Sequence, residues 1–223
     1  MNLQGGKLIV IDGIDGSGKS TQIELLKKYL QEKNILFEII NFPRYGENIY
    51  ADLVTRYLEG KFGSISDVNP YLMALAFAGD RLLAKPLIEN WLVEGKMVIA
   101  NRYVSSSKAH LSANLDEGKR ESFMEWIDRL EYQTNGMPKP NLTILLNVDP
   151  RVGQKNALDN NSPDMHEESL KHLEKARKIY LELSQANPDS IGAEENWVVL
   201  DCMENNKMKP PQRIHQDLLN ILE

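Results

Sequence analysis

The amino-acid sequence predicts an α/β fold with three layers: a five-stranded parallel sheet flanked by helices, with a short lid segment. Two observations carry this prediction. Short apolar runs alternate with longer segments of helical periodicity, and the first run leads directly into a glycine-rich loop. No internal repeat or linker divides the chain, so we expect a single domain over residues 1–223, with the lid at about residues 151–165.

The positions of the apolar residues predict the individual elements. Strands are expected at residues 8–11, 36–40, 97–100, 142–148 and 197–200. Helices are expected at residues 19–32, 49–59, 70–93, 117–133, 166–185 and 211–222. For the third helix we expect Ser66 and Asp67 to cap the start and Gly95 to mark the end, with Pro86 as the point where it can kink.

Composition and charge exclude several classes of protein. With 42% hydrophobic and 26% charged residues, the chain has the composition of an ordinary globular protein. The net charge of −6 gives no electrostatic case for nucleic-acid binding. No apolar stretch approaches the ~20 residues that span a bilayer, and no signal peptide is visible. We therefore expect a cytoplasmic protein without membrane or nucleic-acid partners.

The glycine-rich loop has the pattern of a phosphate-binding P-loop. Residues 13–20 read G-x-x-x-x-G-K-S between a strand and a helix, which is the context that such a loop requires. Lys19 can reach the β- and γ-phosphates, and the Ser20 hydroxyl suits Mg²⁺. The fold is therefore expected to be that of a P-loop NTPase. Its predicted ATP-binding residues are Gly13, Asp15, Gly16, Ser17, Gly18, Lys19, Ser20 and Thr21.

Other functional residues are expected where the strands end, because ligands of parallel sheets bind outside the carboxyl ends of the strands. Residues 42–46 follow the second strand, and residues 101–103 follow the third. Residues 159–163 form a polar segment between two helices and are a candidate lid. A P-loop alone does not separate kinases from ATPases, GTPases or motors. The guanine-type N-K-x-D pattern is missing, which argues against a GTPase.

The strand-end residues resemble those of the thymidylate kinase family, which makes dTDP from dTMP and ATP. The resemblance extends from the P-loop to about residue 185, and it is carried by residues 13–21, 42–46 (F-P-R-Y-G), 77–81 (F-A-G-D-R), 102–103 and 164–167. The acidic Asp15 inside the loop, together with F-P-R-Y and the D-R pair, is the specific part of this pattern. The resemblance implies an ATP-dependent nucleotide kinase of dTTP biosynthesis that uses Mg²⁺ and forms a homodimer.

The resemblance also implies roles for single residues. It makes Asp15 the acceptor of a hydrogen bond from the sugar 3′-hydroxyl, Arg81 a donor to thymine O4, and Arg102 a contact to the acceptor phosphate. The implied substrate-binding set is Asp15, Phe42, Arg44, Tyr45, Phe77, Arg81, Arg102, Ser106, Ser107, His110, Asp164 and Glu167. In this set Phe77 stacks on the base, Phe42 packs near the sugar and base, and Tyr45 joins Arg102 at the phosphate. Asp164 and Glu167 hold lid or sugar contacts.

This chain departs from the family pattern at three places. Asn101 stands where relatives have an aspartate that orients water on Mg²⁺, so we expect weaker metal binding through water. Gly16 stands where some relatives have a catalytic arginine, and residues 152–163 contain no arginine either. We therefore expect Lys155 or Arg151 to assist Lys19 and Arg102 in catalysis.

The third departure lies in the helix after Arg102. Some relatives have an amide at the position of Ser107 and a tyrosine at that of His110, so base and sugar selection is expected to be looser here. Phosphorylation of dTMP is the expected activity. Two alternatives stay open: a kinase for another pyrimidine deoxynucleoside monophosphate such as dUMP, and a nucleotide-binding relative with weak or no catalysis.

Overall fold

A computed structural model describes residues 6–65, 67–158, 169–185 and 196–222. Its strands are β1 (Lys7–Asp12), β2 (Phe37–Asn41), β3 (Met97–Asn101), β4 (Leu142–Asn147) and β5 (Trp197–Asp201), followed by a small antiparallel hairpin of β6 (Met203–Glu204) and β7 (Lys207–Met208). The first five form one parallel sheet in the order β2-β3-β1-β4-β5. The predicted five-stranded parallel sheet is therefore confirmed.

Eight α-helices accompany the sheet within the described ranges. They are α1 (Lys19–Glu32), α2 (Ile49–Leu58), α3 (Pro70–Val93), α4 (Val104–Ser112), α5 (Glu117–Asp128), α6 (Pro150–Leu158), α7 (Leu170–Ser184) and α8 (Pro211–Leu222). Helices α1, α3 and α8 have the predicted bounds. The predicted helix at 117–133 is α5 followed by a π-helical segment, Arg129–Thr134. Helix α6 and the hairpin were not predicted, because their short polar sequences lack a clear apolar period.

The start of α3 differs from its prediction. Asn69 is the N-cap: its side-chain oxygen accepts a hydrogen bond from the Tyr71 amide at 2.9 Å, and Pro70 opens the helix. Asp67 instead accepts hydrogen bonds from the Ser64 amide and hydroxyl. Ser66 lies outside the described residues. The predicted end is confirmed, since Gly95 has a φ of 77° just after the helix.

The core is divided by the sheet into two faces because successive strand residues point to opposite sides. On β1, Leu8 and Val10 pack in a cluster with residues of α2, α3 and α5, whereas Ile9 and Ile11 pack with residues of α1 and α8. All four side chains are fully buried. This gives the predicted three layers. No helix of the described residues is long and apolar enough to cross a membrane.

The carboxyl ends of the parallel strands meet along one edge of the sheet. There β1 leads into the P-loop, β2 into residues 42–46, and β3 into Arg102. The sequence segments singled out by their position after a strand therefore come together, as the parallel topology requires.

Candidate active site

The P-loop wraps around the side chain of its own lysine. Lys19 Nζ donates hydrogen bonds to the carbonyl oxygens of Gly13 at 3.0 Å and Ile14 at 2.8 Å. Gly16 and Gly18 have φ values of 70° and 87°, a left-handed conformation that side chains disfavour. The glycines thus allow the loop to turn tightly at the start of α1, where helix amides and the helix dipole favour an anion.

A donor cleft opens beside this loop. It is lined by six of the predicted ATP-binding residues, namely Asp15, Gly16, Gly18, Lys19, Ser20 and Thr21. The other two, Gly13 and Ser17, are buried in the loop. Asn101, Asn156 and Met208 line the facing walls. Of these three, only Asn101 was predicted, because Asn156 and Met208 lie on α6 and β7, elements that the sequence pattern did not reveal.

Helix α6 packs directly on the P-loop. A Cβ atom added to Gly16 would lie 1.9 Å from the carbonyl oxygen of Gly153, and one added to Gly153 would lie 2.8 Å from that of Asp15. The Asn156 amide also donates to the Gly16 carbonyl at 3.1 Å. The loop and the helix thus meet backbone to backbone. This contact explains why Gly16 carries no arginine: no side chain fits there while α6 stays in place.

The two cations expected to replace the missing catalytic arginine lie on the outer side of α6. Arg151 and Lys155 are exposed and one helical turn apart, and neither lines the donor cleft. The residue of α6 that does line the cleft is Asn156. Asp164 and Glu167, like residues 159–165 of the predicted lid, lie outside the described residues.

The donor cleft holds two oxygen groups that suit a magnesium ion. Ser20 and Asn101 both line it. The Asn101 amide donates to Asn41 Oδ1 at 3.0 Å, while its own Oδ1 is buried and finds no hydrogen-bond partner among the described residues. A buried oxygen normally has a partner. A hydroxyl and an amide oxygen are hard ligands of the kind that Mg²⁺ accepts, directly or through its waters, so the residues present fit this ion.

Arg102 lies at the centre of the site. Its backbone has a φ of 65° at the end of β3, a conformation that few non-glycine residues adopt. Its Nη1 donates to the Gly13 carbonyl at 3.2 Å and to Ser106 Oγ at 3.0 Å, and its Nη2 pairs with the Asp15 carboxylate. Burial is the largest single influence on the guanidinium pKa and lowers it, but the charge of Asp15, together with Asp12 and the neighbouring tyrosine side chains, raises the pKa overall. Arg102 therefore stays a cation.

A buried polar network lies beneath Arg102. Asp12, at the end of β1, accepts hydrogen bonds from the Ser105 hydroxyl at 2.6 Å and from the Tyr180 hydroxyl at 2.6 Å. The Tyr180 hydroxyl also lies 3.1 Å from Ser106 Oγ. Burial and then the charge of Asp12 raise the pKa of Tyr180, so the phenol stays protonated and keeps donating. This network fixes α4 and α7 against the end of β1.

A second cleft lies on the other side of Arg102, and we call it the acceptor cleft. The structure brings nine predicted residues together along its walls: Asp15, Phe42, Tyr45, Phe77, Arg81, Arg102, Ser106, Ser107 and His110. Pro43, Leu58, Tyr103 and Leu111 complete the apolar walls. Two phenylalanines and several convergent polar groups suit a flat heteroaromatic ligand with a charged end.

Arg81 is held in the acceptor cleft by a buried ion pair. Its Nε donates to Glu131 Oε1 at 2.9 Å, and its Nη2 donates to the same oxygen and to Ser107 Oγ at 2.8 Å. Glu131 is 1% exposed and belongs to the π-helical segment. Fifty residues separate the two partners, so nothing in the local sequence indicated this pair. The Arg81 Nη1 also donates to the Tyr103 carbonyl at 3.4 Å, so all three guanidinium nitrogens have protein partners.

Arg44 has a different place from that predicted. Its Nε pairs with Asp80 Oδ1 at 2.9 Å, and its Nη1 lies 3.3 Å from Glu47 Oε2. The side chain lines a neighbouring groove rather than the acceptor cleft. The structure therefore shows Arg44 tying the loop after β2 to α3, and it does not bring this residue to the predicted substrate cleft.

The donor and acceptor clefts meet at two side chains. Asp15 and Arg102 are the two residues that line both clefts within the part of the chain that the structure describes. A phosphoryl group passing from one cleft to the other would cross between the P-loop and Arg102. Together with the fold, this arrangement defines a P-loop kinase of the class that phosphorylates nucleoside monophosphates.

Comparison with known proteins identifies the family within this class. The model of the family described as "Thymidylate kinase" matches residues 11–203. Thymidylate kinase of Mycobacterium tuberculosis is 31% identical over 183 residues, covering 79% of this chain and 85% of the relative. A probable thymidylate kinase of Pyrobaculum aerophilum is 32% identical over 217 residues, covering 96% and 95%. The chain belongs to the thymidylate kinase family.

A solved structure supports the fold independently. Thymidylate kinase from Candida albicans superposes with a TM-score of 0.73 and covers 98% of this chain and 92% of its own, at 24% sequence identity. The predicted P-loop NTPase fold is thereby confirmed.

Proposed function

We propose that this chain transfers the γ-phosphoryl group of ATP to the phosphate of dTMP, giving ADP and dTDP. The observation that carries the proposal is that a P-loop cleft and an aromatic cleft share Asp15 and Arg102 at their junction. Membership of the thymidylate kinase family supports the choice of dTMP as the acceptor.

On the donor side, the loop amides and Lys19 bind the triphosphate. Ser20 would hold Mg²⁺, and Asn101 would contact the ion through water. When bound, magnesium neutralises charge on the β- and γ-phosphates. Lys19 Nζ donates to two carbonyl oxygens of the P-loop, and these contacts keep the amine beside the place where the phosphates would bind.

On the acceptor side, Phe77 stacks on thymine and Arg81 donates to its O4, while Asp15 accepts from the sugar hydroxyl. Arg102 draws the acceptor phosphate to the junction, because a guanidinium pairs with phosphate oxygens in two parallel hydrogen bonds. The attacking phosphate oxygen is already ionised, so no general base is required. Catalysis then consists of positioning and of charge stabilisation.

We further propose that the molecule is a homodimer. Helix α3 exposes five leucines: Leu72, Leu75, Leu82, Leu83 and Leu87 are 40–63% exposed. Ile49 on the adjacent α2 is 76% exposed. An apolar face of this kind is unusual on a monomer and suits a two-fold contact with a second copy. The cytoplasmic location stays a prediction.

The function is tested by measuring ADP release with a panel of acceptors: dTMP, dUMP, the ribonucleotide of thymine, and dCMP. The proposal requires that dTMP give the highest kcat/KM. A preference for dUMP would make the chain a kinase for a different acceptor. Heat stabilisation by ATP and dTMP without ADP release above background would make it a binding protein.

A further inference from the structure

Two histidines, one on α4 and one on α7, link Arg102 to Asn114 through a series of hydrogen bonds. His110 lies on α4, and its Nε2 is 3.1 Å from Arg102 Nη1. Its Nδ1 is 3.2 Å from Nε2 of His172, in the first turn of α7. His172 Nδ1 is in turn 3.1 Å from Asn114 Oδ1. Both imidazoles are buried, with 6% and 5% exposure.

Arg102 determines where the protons lie along this series of hydrogen bonds. A guanidinium has only donors, so His110 Nε2 must accept from Arg102. The remaining proton of His110 is then on Nδ1 and is donated to His172 Nε2. His172 in turn carries its proton on Nδ1 and donates it to Asn114 Oδ1. The Asn114 amide nitrogen lies 3.5 Å from the Tyr57 hydroxyl, which agrees with this orientation. Both histidines are neutral in this arrangement.

The surroundings favour the neutral form. Burial lowers the pKa of His172 to about 4, with Asp15 raising it and Lys175 lowering it. Lys175 Nζ donates to the Ala113 carbonyl at 3.3 Å, and the edge-on ring of Tyr180 lies against His110. His172 therefore stays neutral through the neutral pH range.

We propose that His172 is a positioning residue: through His110, it holds the Arg102 guanidinium in the orientation that receives the acceptor phosphate. The inference rests on the proposed function for the role of Arg102. The other acceptors of Arg102 Nη1 are the Gly13 carbonyl and Ser106 Oγ, which belong to the P-loop and to the first turn of α4. His110 is a third acceptor for the two Nη1 protons, so one of these protons is shared between two acceptors, and the group that accepts from Nδ1 helps to orient the His110 ring.

The test compares two substitutions of His172 at pH 7.5. A glutamine side chain can accept from His110 and donate to Asn114, whereas leucine can do neither and leaves a buried donor unpaired. We expect His172→Leu to raise the KM for dTMP about fivefold or more, with the KM for ATP within about twofold of wild type. We expect His172→Gln to keep both constants close to wild type.

Leu173→Ala is the matched control, because Leu173 is the next residue of α7 and is fully buried. It should lower the thermal midpoint without a selective rise in the KM for dTMP. The proposal is overturned if His172→Leu leaves that KM unchanged, if His172→Gln raises it as much as leucine does, or if Leu173→Ala reproduces the effect.

A failure of the proposed function looks different, since wild-type protein would then release no ADP with dTMP. In that case the same three variants are compared by calorimetric binding of dTMP. Weaker binding in the leucine variant alone supports the positioning role, and equal binding in all variants contradicts it.

Discussion

Arg102 shows how a single residue can set the geometry of the site. Its left-handed backbone costs about 1–2 kcal/mol for a non-glycine residue, and its φ of 65° directs the chain from β3 into α4. The side chain then makes contacts with the P-loop, with α4 and with Asp15. A residue strained and held in this way is typical of functional sites. The strain is offset by the charge pair with Asp15 and by the packing of α4.

Asn101, one residue earlier, is the second informative position. An ionised carboxylate binds Mg²⁺ or its waters more strongly than a neutral amide does. We therefore expect Asn101→Asp to lower the Mg²⁺ concentration at half-maximal activity by about threefold or more, and Asn101→Ala to raise it. Titrations of ADP release against Mg²⁺ at saturating ATP check both changes. An Asp variant with an unchanged titration would show that residue 101 does not contact the hydrated ion.

At the scale of elements, α6 determines which side chains fit at position 16 of the P-loop. Gly16 and Gly153 meet backbone to backbone, so the loop and the helix exclude side chains from each other. An arginine at position 16 would therefore need a wider separation between the loop and α6. In this chain the charge that such an arginine supplies must come from elsewhere.

The contact between α6 and the loop can be tested with Gly16→Ala. This change adds a Cβ with severe overlap at a φ of 70°, and we expect kcat to fall at least about tenfold. Gly95→Ala is the matched control, since Gly95 has a φ of 77° but no atom within 4 Å of the added Cβ. It should lose only about 1 kcal/mol of stability and keep its kcat. Full activity in Gly16→Ala would mean that α6 is not in contact with residue 16 of the loop during turnover.

The outer side of α6 carries the two cations that we expect to assist catalysis. The sequence predicts that alanine substitution of Arg151 or of Lys155 lowers kcat at least about tenfold in one case, because charge on the migrating phosphoryl group would lose a partner. This outcome requires one of the two side chains to reach the donor cleft, which neither lines in this structure. Lys28→Ala, at an exposed position of α1, is the control and should leave kcat unchanged. If neither substitution lowers kcat, the stabilising charge comes from Lys19, Arg102 and the metal alone.

For the whole molecule, local periodicity determined what could be predicted from the sequence. The five strands and helices such as α1 and α8 carry clear apolar patterns, and the P-loop carries its own motif. Helix α6 is short and polar, so the sequence predicts part of a lid at its position rather than a helix. The pairs Arg81–Glu131 and His110–His172 join residues 50 and 62 positions apart. Such contacts arise only when α3, α4, α7 and the π-helical segment pack together, and no local pattern specifies them.

The site as a whole depends on the junction of two clefts at Arg102. Single-turnover transfer of labelled γ-phosphate from ATP to dTMP, compared between wild type and Arg102→Met, tests this claim most directly. We predict labelled dTDP from the wild-type protein and a loss of about a thousandfold in the variant, with ATP binding retained. Transfer by Arg102→Met at a rate near that of wild type would contradict the central role of this residue.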